Sequence, residues 1–279
     1  MKNLLAFFLL TACSAVASDL DVMTFNIRYN NPGDAENAWP NRKSLVAHFL
    51  TQTRPDLVGL QEALKSQQDD ILASNPEFAA IGVGRDDGKS SGELSSILFR
   101  IDTFTPLENG TFWLSATPAK IASTTWGNGI PRICTWARFK IKTTGETFYL
   151  FNTHFDHRSQ PSREKSAQLI LKKISQRRFS SDPVILTGDF NASETNPAIT
   201  ALGASLTETF RSVDPDAVDV GTFHGFKPTN GRDKIDYVFT TPDITTKKAT
   251  IHRPRPGGRY VTDHEPVSAT LTLPTRKKD

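Results

Sequence analysis

The 279-residue chain is 37% hydrophobic and 23% charged, which is an ordinary globular composition. Its formal charge of +3 is a weak basic excess that does not by itself indicate binding to nucleic acid. No stretch resembles a linker and no fixed-period repeat is present, so we expect one domain.

The N-terminus has the pattern of a secretory signal peptide. Lys2 precedes the apolar run Leu4–Leu10, and small residues follow up to Ala17. The run is too short to remain in a bilayer as an anchor. The segment ending at Cys13 also resembles a bacterial lipobox, which would make the protein a lipoprotein anchored at that residue. We favour cleavage after Ala17, because a lipobox so close to the start leaves an unusually short signal. Either route predicts export to the periplasm or the cell exterior.

These boundaries divide the chain into a signal peptide over 1–17, one domain over 19–274 and a solvated basic tail over 275–279. Cys134 has no partner cysteine within the domain, and we expect a small buried side chain there rather than a nucleophile. Export without an internal disulfide requires the core to supply the stability, which a domain of this size allows.

Apolar periodicity predicts the elements in chain order. Strands are expected over Leu20–Arg28, Asp56–Glu62, Ser96–Arg100, Thr147–Phe155, from Val184 onward, Lys234–Thr240 and Pro266–Leu273. Helices are expected over Asn41–Thr53, through Asp70–Leu72, from Pro161 onward and over Pro197–Leu202. Residues 82–92 read as a loop, and residues 109–131 have no clear assignment. Because some consecutive strands lack a helix between them, packed sheets flanked by helices are favoured over a doubly wound sheet.

Acids, amides and imidazoles stand where these strands end. They are Asn26, Glu62, His154, Asp189 with Asn191, Asp236, and Asp263 with His264. Each alone is typical of a turn, a cap or a structural histidine. Strand ends on one edge of a sheet can converge, so together they indicate one cleft. Asp189 and Asn191 are two residues apart on a segment taken as extended, which places both side chains on one side. Gly188 is expected to let the chain turn there.

The same residues, in this order, resemble the endonuclease/exonuclease/phosphatase superfamily. The resemblance extends from Asp21 to Leu273 and rests on the residues above within Leu60–Glu62, Asn152–His154, Gly188–Asn191 and Ile235–Tyr237. Segments such as Met23–Arg28 and Gly221–Phe226 resemble a bacterial secreted branch. The resemblance implies an α/β (α+β) fold, a four-layer sandwich of two packed mixed β-sheets flanked by helices, with a cleft at one end.

Phosphoester hydrolysis calls for a metal ion, and the sequence offers oxygen ligands for one. Glu62 and Asp263 suit Mg²⁺, with Mn²⁺ as the alternative. The resemblance implies that Glu62 holds the main ion while Asp263 and Asn26 lie close by, with Asn26 also near the substrate. Zinc is disfavoured because no close His/Cys spacing occurs.

The expected chemistry centres on His264, whose ordinary pKa suits a general base near neutral pH. The resemblance implies Asp236 as the carboxylate that orients it. Asp189 is expected to position the attacking water or a second ion. Asn191 is expected to hold a phosphate oxygen as a neutral donor.

A second group of residues is expected around the substrate. His154 would donate to another phosphate oxygen or protonate the leaving group, and resemblance to pancreatic-type deoxyribonucleases implies Glu93 as the residue that orients it. Arg132 is a candidate phosphate clamp, because a guanidinium can bind two oxygen atoms at once. The pocket is also expected to include Asp156, His157 and His224.

These features predict a Mg²⁺-dependent phosphoester hydrolase that acts on diesters in preference to monoesters. The alternatives are a phosphomonoesterase on small phosphorylated sugars or lipids, and a nuclease. A phosphorylated small molecule, a phospholipid headgroup and a nucleic acid all stay open as substrates. A non-catalytic binding module of the same fold is disfavoured, since every expected site position keeps a residue type that the chemistry requires. No protein partner is implied, and we expect a monomer.

Overall fold

The computed structural model describes residues 19–229 and 233–274. The expected signal peptide, Cys13 and the basic tail lie outside this part of the chain. The strands are β1 (Asp19–Asn26), β2 (Leu57–Gln61), β3 (Phe78–Ile81), β4 (Ile97–Arg100), β5 (Phe104–Trp113), β6 (Ile133–Ile141), β7 (Thr147–His154), β8 (Val184–Asp189), β9 (Thr207–Glu208), β10 (Asp236–Thr240), β11 (Thr245–Ile251) and β12 (Val267–Thr272). The helices are α1 (Trp39–Thr53), α2 (Lys65–Ser74), α3 (Gln160–Ser175), α4 (Pro197–Gly203) and α5 (Thr209–Val213), with short 3₁₀ turns at Pro32–Asn37 and Pro256–Gly258.

Two mixed sheets form the middle of the molecule. The first has the order β11-β12-β1-β2-β4-β3, and the second has the order β5-β6-β7-β8-β10-β9. β1 and β2 are parallel, as are β7 and β8, and the helices α1 and α3 make the crossovers between them. This arrangement confirms the predicted four-layer sandwich.

Three apolar layers hold the sandwich together, and strand alternation assigns side chains to them. In β1, Leu20 and Val22 face the second sheet, whereas Met23 and Phe25 belong to the layer beneath α1. In β8, Ile185 enters the central layer, while its neighbours on both sides face α3 and α4. Because both faces of these strands are covered, they read as continuous apolar runs in the sequence. Each fully buried aliphatic side chain contributes roughly 1.5–3 kcal/mol.

A polar layer lies between the central core and the cleft. Asn152 of β7 accepts hydrogen bonds from Gln61 of β2 at 2.7 Å and from Thr187 of β8 at 3.0 Å. Its Nδ2 donates to the carbonyl oxygen of Leu60 at 2.8 Å. A Cβ atom at Gly59 would lie 2.4 Å from Asn152 Oδ1, so this layer requires glycine there. The hydrogen bonds of this layer connect the two sheets directly below the cleft.

Several strands were not expected from the sequence. Only Phe104, Phe112 and Trp113 of β5 are buried, and the strand carries Pro106 and a register shift at the sheet edge, so its apolar period is weak. Residues 109–113 of the unassigned stretch belong to β5, and the rest up to residue 131 is irregular. β3, β6, β9, β11 and α5 were also missed. α1 begins two residues before the expected start, with Pro40 in its first turn. No helix in the described residues is long and apolar enough to cross a membrane.

Candidate active site

The ends of the central strands meet at one end of the sandwich. His154 of β7 lies beside Asp189 of β8, which pairs on its other side with Asp236 of β10. From the other sheet, Asn26 Nδ2 donates to Asp189 Oδ2 at 2.9 Å and to Glu62 Oε1 at 3.2 Å. Hydrogen bonds therefore join the two sheets within the site, and the predicted strand-end residues converge.

These residues surround a cavity of about 680 Å³. That volume is within the usual range for small-molecule sites, roughly 300–1,000 Å³. Its walls are Arg28, Tyr29, Glu62, Arg85, Glu93, Ile130, Arg132, His154, His157, Arg158, Asp189, Asn191, Phe223, Ile235, Asp263 and His264. Asn26 and Asp236 are almost fully buried and support these walls.

His264 is held between two carboxylates. Its Nδ1 bonds Asp236 Oδ2 at 2.9 Å, and its Nε2 lies 3.7 Å from Asp189 Oδ2. Burial opposes a positive charge on the ring. The negative charges of Asp236 and Asp189 outweigh burial and raise the pKa of His264 well above its usual value. The two carboxylates therefore favour the protonated imidazole, whose Nε2 lies towards Asp189.

Asp189 is the carboxylate on which the site converges. Its Oδ1 accepts from the backbone N–H of Asn191 at 2.9 Å, and its Oδ2 also lies 3.5 Å from His154 Nε2. Burial and the negative charge of Asp236 raise the pKa of Asp189 to about 7. A carboxylate with this pKa can exchange a proton with water near neutral pH.

The protonation of His154 follows from its neighbour Asn191. The Asn191 amide nitrogen donates to the carbonyl oxygen of Phe155 at 3.1 Å, which fixes the orientation of the amide. The same nitrogen lies 2.9 Å from His154 Nε2, so Nε2 accepts and the ring proton is on Nδ1. Burial and the positive charges of Arg132 and Arg85 hold the pKa of His154 well below its usual value. In this arrangement Nε2 is not free to donate to phosphate, and both Asn191 amide hydrogens are engaged, unlike the expected roles.

Glu93 lies close to His154 without a direct hydrogen bond. Its Oε2 is 3.9 Å from His154 Nδ1, and the carboxylate pairs with Arg85 through contacts of 2.6 and 2.9 Å. Burial raises the pKa of Glu93. The His154 Nδ1–H therefore faces a carboxylate that can orient the ring only after a small shift.

The predicted metal ligands Glu62 and Asp263 line the same cavity. Glu62 Oε2 accepts from the backbone N–H of Tyr29 at 3.2 Å, and Asp263 is almost fully buried nearby. Arg28 lies 3.8 Å from Glu62 Oε2 and 3.9 Å from Asp263 Oδ2. Asn26 Oδ1 accepts from the Arg28 backbone N–H at 2.9 Å, while its nitrogen faces the carboxylates. Asn26 thus positions Glu62 and Asp189, and its oxygen is not presented to a metal ion or substrate as expected.

Two carboxylate groups in the site could hold a divalent cation. Asp189, Asp236 and His264 place three ligand atoms within 4.8 Å of one another, but a hydrogen bond between His264 Nδ1 and Asp236 Oδ2 already engages two of these side chains. Glu62 and Asp263 offer only oxygen atoms, as Mg²⁺ and Mn²⁺ prefer. Burial and the charge of Glu62 raise the pKa of Asp263, which indicates negative charge that a cation would relieve. The second pair fits a divalent cation better.

Arg132 lies in the wall near His154, as expected for a phosphate clamp. It is 3% exposed, and its Nη2 lies 2.8 Å from His157 Nδ1. Its Nε and Nη1 have no hydrogen-bond partner among the described residues. Asp156 lies 3.6 Å from Arg132 Nε and accepts from the backbone N–H groups of Arg158 and Ser159, just before α3, so it supports the wall from behind.

His224 does not line the cavity, and its expected contact with substrate stays a prediction. The ring stacks on Tyr260 with centroids 4.8 Å apart, and its Nδ1 accepts from the Phe226 backbone N–H at 3.1 Å. Its Nε2 faces the buried Glu265 at 3.9 Å. Gly225, which follows, has a φ of 58°, and this turn directs His224 behind the site.

The segment after β8 also differs from its expected form. Gly188 is inside the strand, and a Cβ atom there would lie 2.7 Å from the Thr153 carbonyl oxygen, so close packing rather than a turn requires glycine. The chain turns at Asn191, where φ is 47°. Asp189 and Asn191 thus reach the same cleft by a turn and not by strand alternation.

Arg28 and Arg85 were missed by sequence reasoning. Arg28 follows the end of β1 and has a left-handed φ of 58°, so strand periodicity does not indicate that it enters the cleft. Arg85 comes from the loop over residues 82–92, whose path the sequence does not specify.

Comparison with known proteins gives the fold and site a context. A model of the endonuclease/exonuclease/phosphatase family matches residues 23–264. An endonuclease/exonuclease/phosphatase from Bacteroides vulgatus is 36% identical, with a TM-score of 0.85 over 92% of this chain and 99% of that one. A protein described as a mannosyl-6-phosphatase from Bacteroides thetaiotaomicron is 34% identical, with a TM-score of 0.83 over 91% of this chain and 100% of that one.

A more distant similarity links the chain to protein L388 of Acanthamoeba polyphaga mimivirus. The two are 26% identical over 163 residues, which is 56% of this chain and 60% of the viral protein. The chain therefore matches less than two thirds of that relative. The matched family model includes every strand-end residue of the cleft, from Asn26 to His264. The chain belongs to the endonuclease/exonuclease/phosphatase family.

Proposed function

We propose that the protein is a divalent-cation-dependent phosphoester hydrolase with phosphomonoesters as its substrates. Family membership supports the hydrolase class. The observation that carries the proposal is one cleft in which Asp189, His264 and Asp236 form a proton-handling group beside the carboxylates Glu62 and Asp263.

The carboxylates Glu62 and Asp263 would hold Mg²⁺ or Mn²⁺. The ion would supply positive charge to the phosphate oxygen atoms and so favour attack at phosphorus. Arg132 lines the same cavity, and its guanidinium group would bind the remaining phosphate oxygens.

Asp189 is the proposed acceptor of the proton from the attacking water, because its pKa of about 7 suits that step near neutral pH. His264, as a cation, would donate from Nε2 to a phosphate oxygen, and Asp236 would keep the ring oriented through Nδ1. The base expected from the sequence was His264, and the raised pKa of that group favours Asp189 instead. The Asn191 backbone N–H and the Asn26 amide would hold Asp189 in place.

Two observations support a phosphomonoester over the diester favoured by the sequence. The cavity wall contains four guanidinium groups, which suit a doubly charged phosphate, and these are Arg28, Arg85, Arg132 and Arg158. The similar Bacteroides thetaiotaomicron protein is described as a mannosyl-6-phosphatase. A hexose phosphate is therefore the proposed substrate class, with lipid headgroups and nucleic acids as alternatives for testing.

The test is phosphate release by protein freed of metal with EDTA and then supplied with Mg²⁺ or Mn²⁺. Substrates are mannose 6-phosphate, p-nitrophenyl phosphate, bis-p-nitrophenyl phosphate, plasmid DNA and sphingomyelin. We expect metal-dependent release from the monoesters and little from the diesters. Activity in excess chelator, or confined to diesters, would contradict the proposal.

Export and a monomeric state are proposals that rest on the sequence alone. N-terminal sequencing of protein recovered from the periplasm or the medium checks cleavage after Ala17. Lipid labelling at Cys13 would instead support membrane anchoring. Light scattering at assay concentrations checks the monomer.

A further inference from the structure

Arg28 is one of the four arginines that line the cavity, and the proposal above gives it no individual task. Its side chain is 24% exposed, and its backbone has a φ of 58°, a left-handed conformation that is costly for a residue with a Cβ. Glu62 and Asn191, which also line the cavity, have φ values of 58° and 47°. Uncommon backbone conformations of this kind cluster at functional sites, and Arg28 shares this property with two residues of the site.

The Arg28 guanidinium is fixed in advance. Its Nε donates to Asp34 Oδ2 at 2.9 Å and its Nη2 to Asp34 Oδ1 at 3.0 Å, which is a bidentate pair. The group lies 4.6 Å from the centre of the Tyr29 ring. The Arg28 backbone carbonyl accepts from Gln67 at 2.9 Å. A cation held this way loses little further freedom when an anion binds.

One edge of this guanidinium is free to bind a ligand. Nη1 makes no hydrogen bond within the described residues and lies 3.8 Å from Glu62 Oε2, beyond hydrogen-bond distance. The nearby Arg42 provides a contrast, because its donors go to backbone carbonyls such as those of Ile27 at 3.0 Å and Val261 at 2.8 Å. Arg42 supports the loop, whereas Arg28 keeps a donor at the cavity beside the carboxylates Glu62 and Asp263.

We propose that Arg28 selects phosphomonoesters by binding the second negative charge of the phosphate through Nη1, with Asp34 as its positioning residue. The inference rests on the proposed phosphoester hydrolase function. A monoester presents a third unesterified oxygen and nearly a full extra charge at neutral pH. A diester carries an ester group at that position and gains less from a fixed cation. Arg28 therefore determines the preference for monoesters over diesters.

The test compares Arg28→Met with wild-type protein on p-nitrophenyl phosphate and bis-p-nitrophenyl phosphate. We expect kcat/KM for the monoester to fall roughly 10- to 100-fold, as for a lost hydrogen bond to a charged group, and kcat/KM for the diester to fall clearly less. Asp34→Asn should give a smaller change in the same ratio. Arg211→Met is the matched control, because Arg211 also pairs with a carboxylate, Glu194, at 2.7 and 2.9 Å, is 28% exposed and lies outside the cavity wall.

Two binding measurements separate this role from a structural one. Inorganic phosphate should bind Arg28→Met more weakly than wild type in calorimetry, while Mn²⁺ should bind at least as tightly, since a neighbouring cation has been removed. Equal losses on both esters, or loss of Mn²⁺ binding in Arg28→Met, would overturn the proposal. If wild-type protein hydrolyses neither ester, the proposed function fails. The phosphate-binding comparison still decides whether Arg28 recognises the dianion.

Discussion

At the scale of single residues, the charge of a side chain in the cleft depends on its neighbours in space, which strand geometry alone does not specify. Burial and the charge of Asp236 raise the pKa of Asp189, and the charges of Asp236 and Asp189 raise the pKa of His264. The sequence identified both residues, since they end apolar runs. It did not identify which of them holds the proton, because that depends on separations such as the 3.7 Å between them.

Asp236→Asn tests the orientation and charge of His264. The amide removes the negative charge that raises the imidazole pKa, so we expect the pKa of His264 to fall in an NMR titration. Turnover should fall roughly 100-fold or more, because a mispositioned proton donor loses most of its contribution. An unchanged His264 titration would show that Asp236 does not govern it.

The pH dependence of turnover tests the role of Asp189. Its carboxylate must be ionised to accept a proton, and its raised pKa of about 7 means that ionisation is completed only above neutral pH. We therefore expect kcat/KM to increase from pH 6 to pH 8 and then level off. A plateau that extends down to pH 5 would contradict this assignment.

At the scale of elements, the alternation of side chains along β7 and β8 brings the site residues to one end of the sandwich. Along the inner faces, apolar residues such as Leu150 and Ile185 give way to the polar layer and then to His154 and Asp189. The sequence predicted the strands that contribute to the site because both of their faces are buried. It missed β5 because few residues of that edge strand are buried, and it misjudged Gly188 because close packing between strands leaves no signal along the chain.

Gly59→Ala tests the polar layer under the cleft. The added Cβ would lie 2.3 Å from Thr187 Oγ1 and 2.4 Å from Asn152 Oδ1, so both partners must move. We expect a loss of about 1–3 kcal/mol in the free energy of unfolding, measured with urea. Gly203→Ala is the control, because nothing lies within 4 Å of its Cβ position in α4. Equal stability of the two variants would show that the layer tolerates the methyl group.

At the scale of the whole molecule, the site exists only when the two sheets are packed together. Asn26 and Glu62 come from one half of the sandwich, and Asp189 and Asp236 come from the other. The motifs predicted this architecture through the family they resemble. The position of His224 behind the site depends on the turn at Gly225, and nothing in the sequence distinguishes that turn from one facing the cleft.

Acid stability tests the buried position of His224. Burial and the positive charge of Arg255 lower its pKa to about 3, so the unfolded chain binds a proton more readily than the folded one. This contribution to stability is present above pH 6.5 and is lost as the pH falls towards 3.

His224→Asn, which keeps an acceptor near Nδ1, should show a shallower loss of urea midpoint between pH 6.5 and 4. His48→Asn, on the exposed face of α1, should match wild type. Identical slopes for His224→Asn and wild type would contradict the assignment.

The central claim is that Glu62 and Asp263 hold a divalent cation for phosphomonoester hydrolysis next to Asp189 and His264. The most direct measurement is Mg²⁺-supported phosphate release from mannose 6-phosphate by wild-type and Glu62→Gln proteins of equal folded content. The account predicts release by wild type that EDTA abolishes, and nearly complete loss in Glu62→Gln. Full activity of Glu62→Gln, or wild-type release that persists in EDTA, would contradict it.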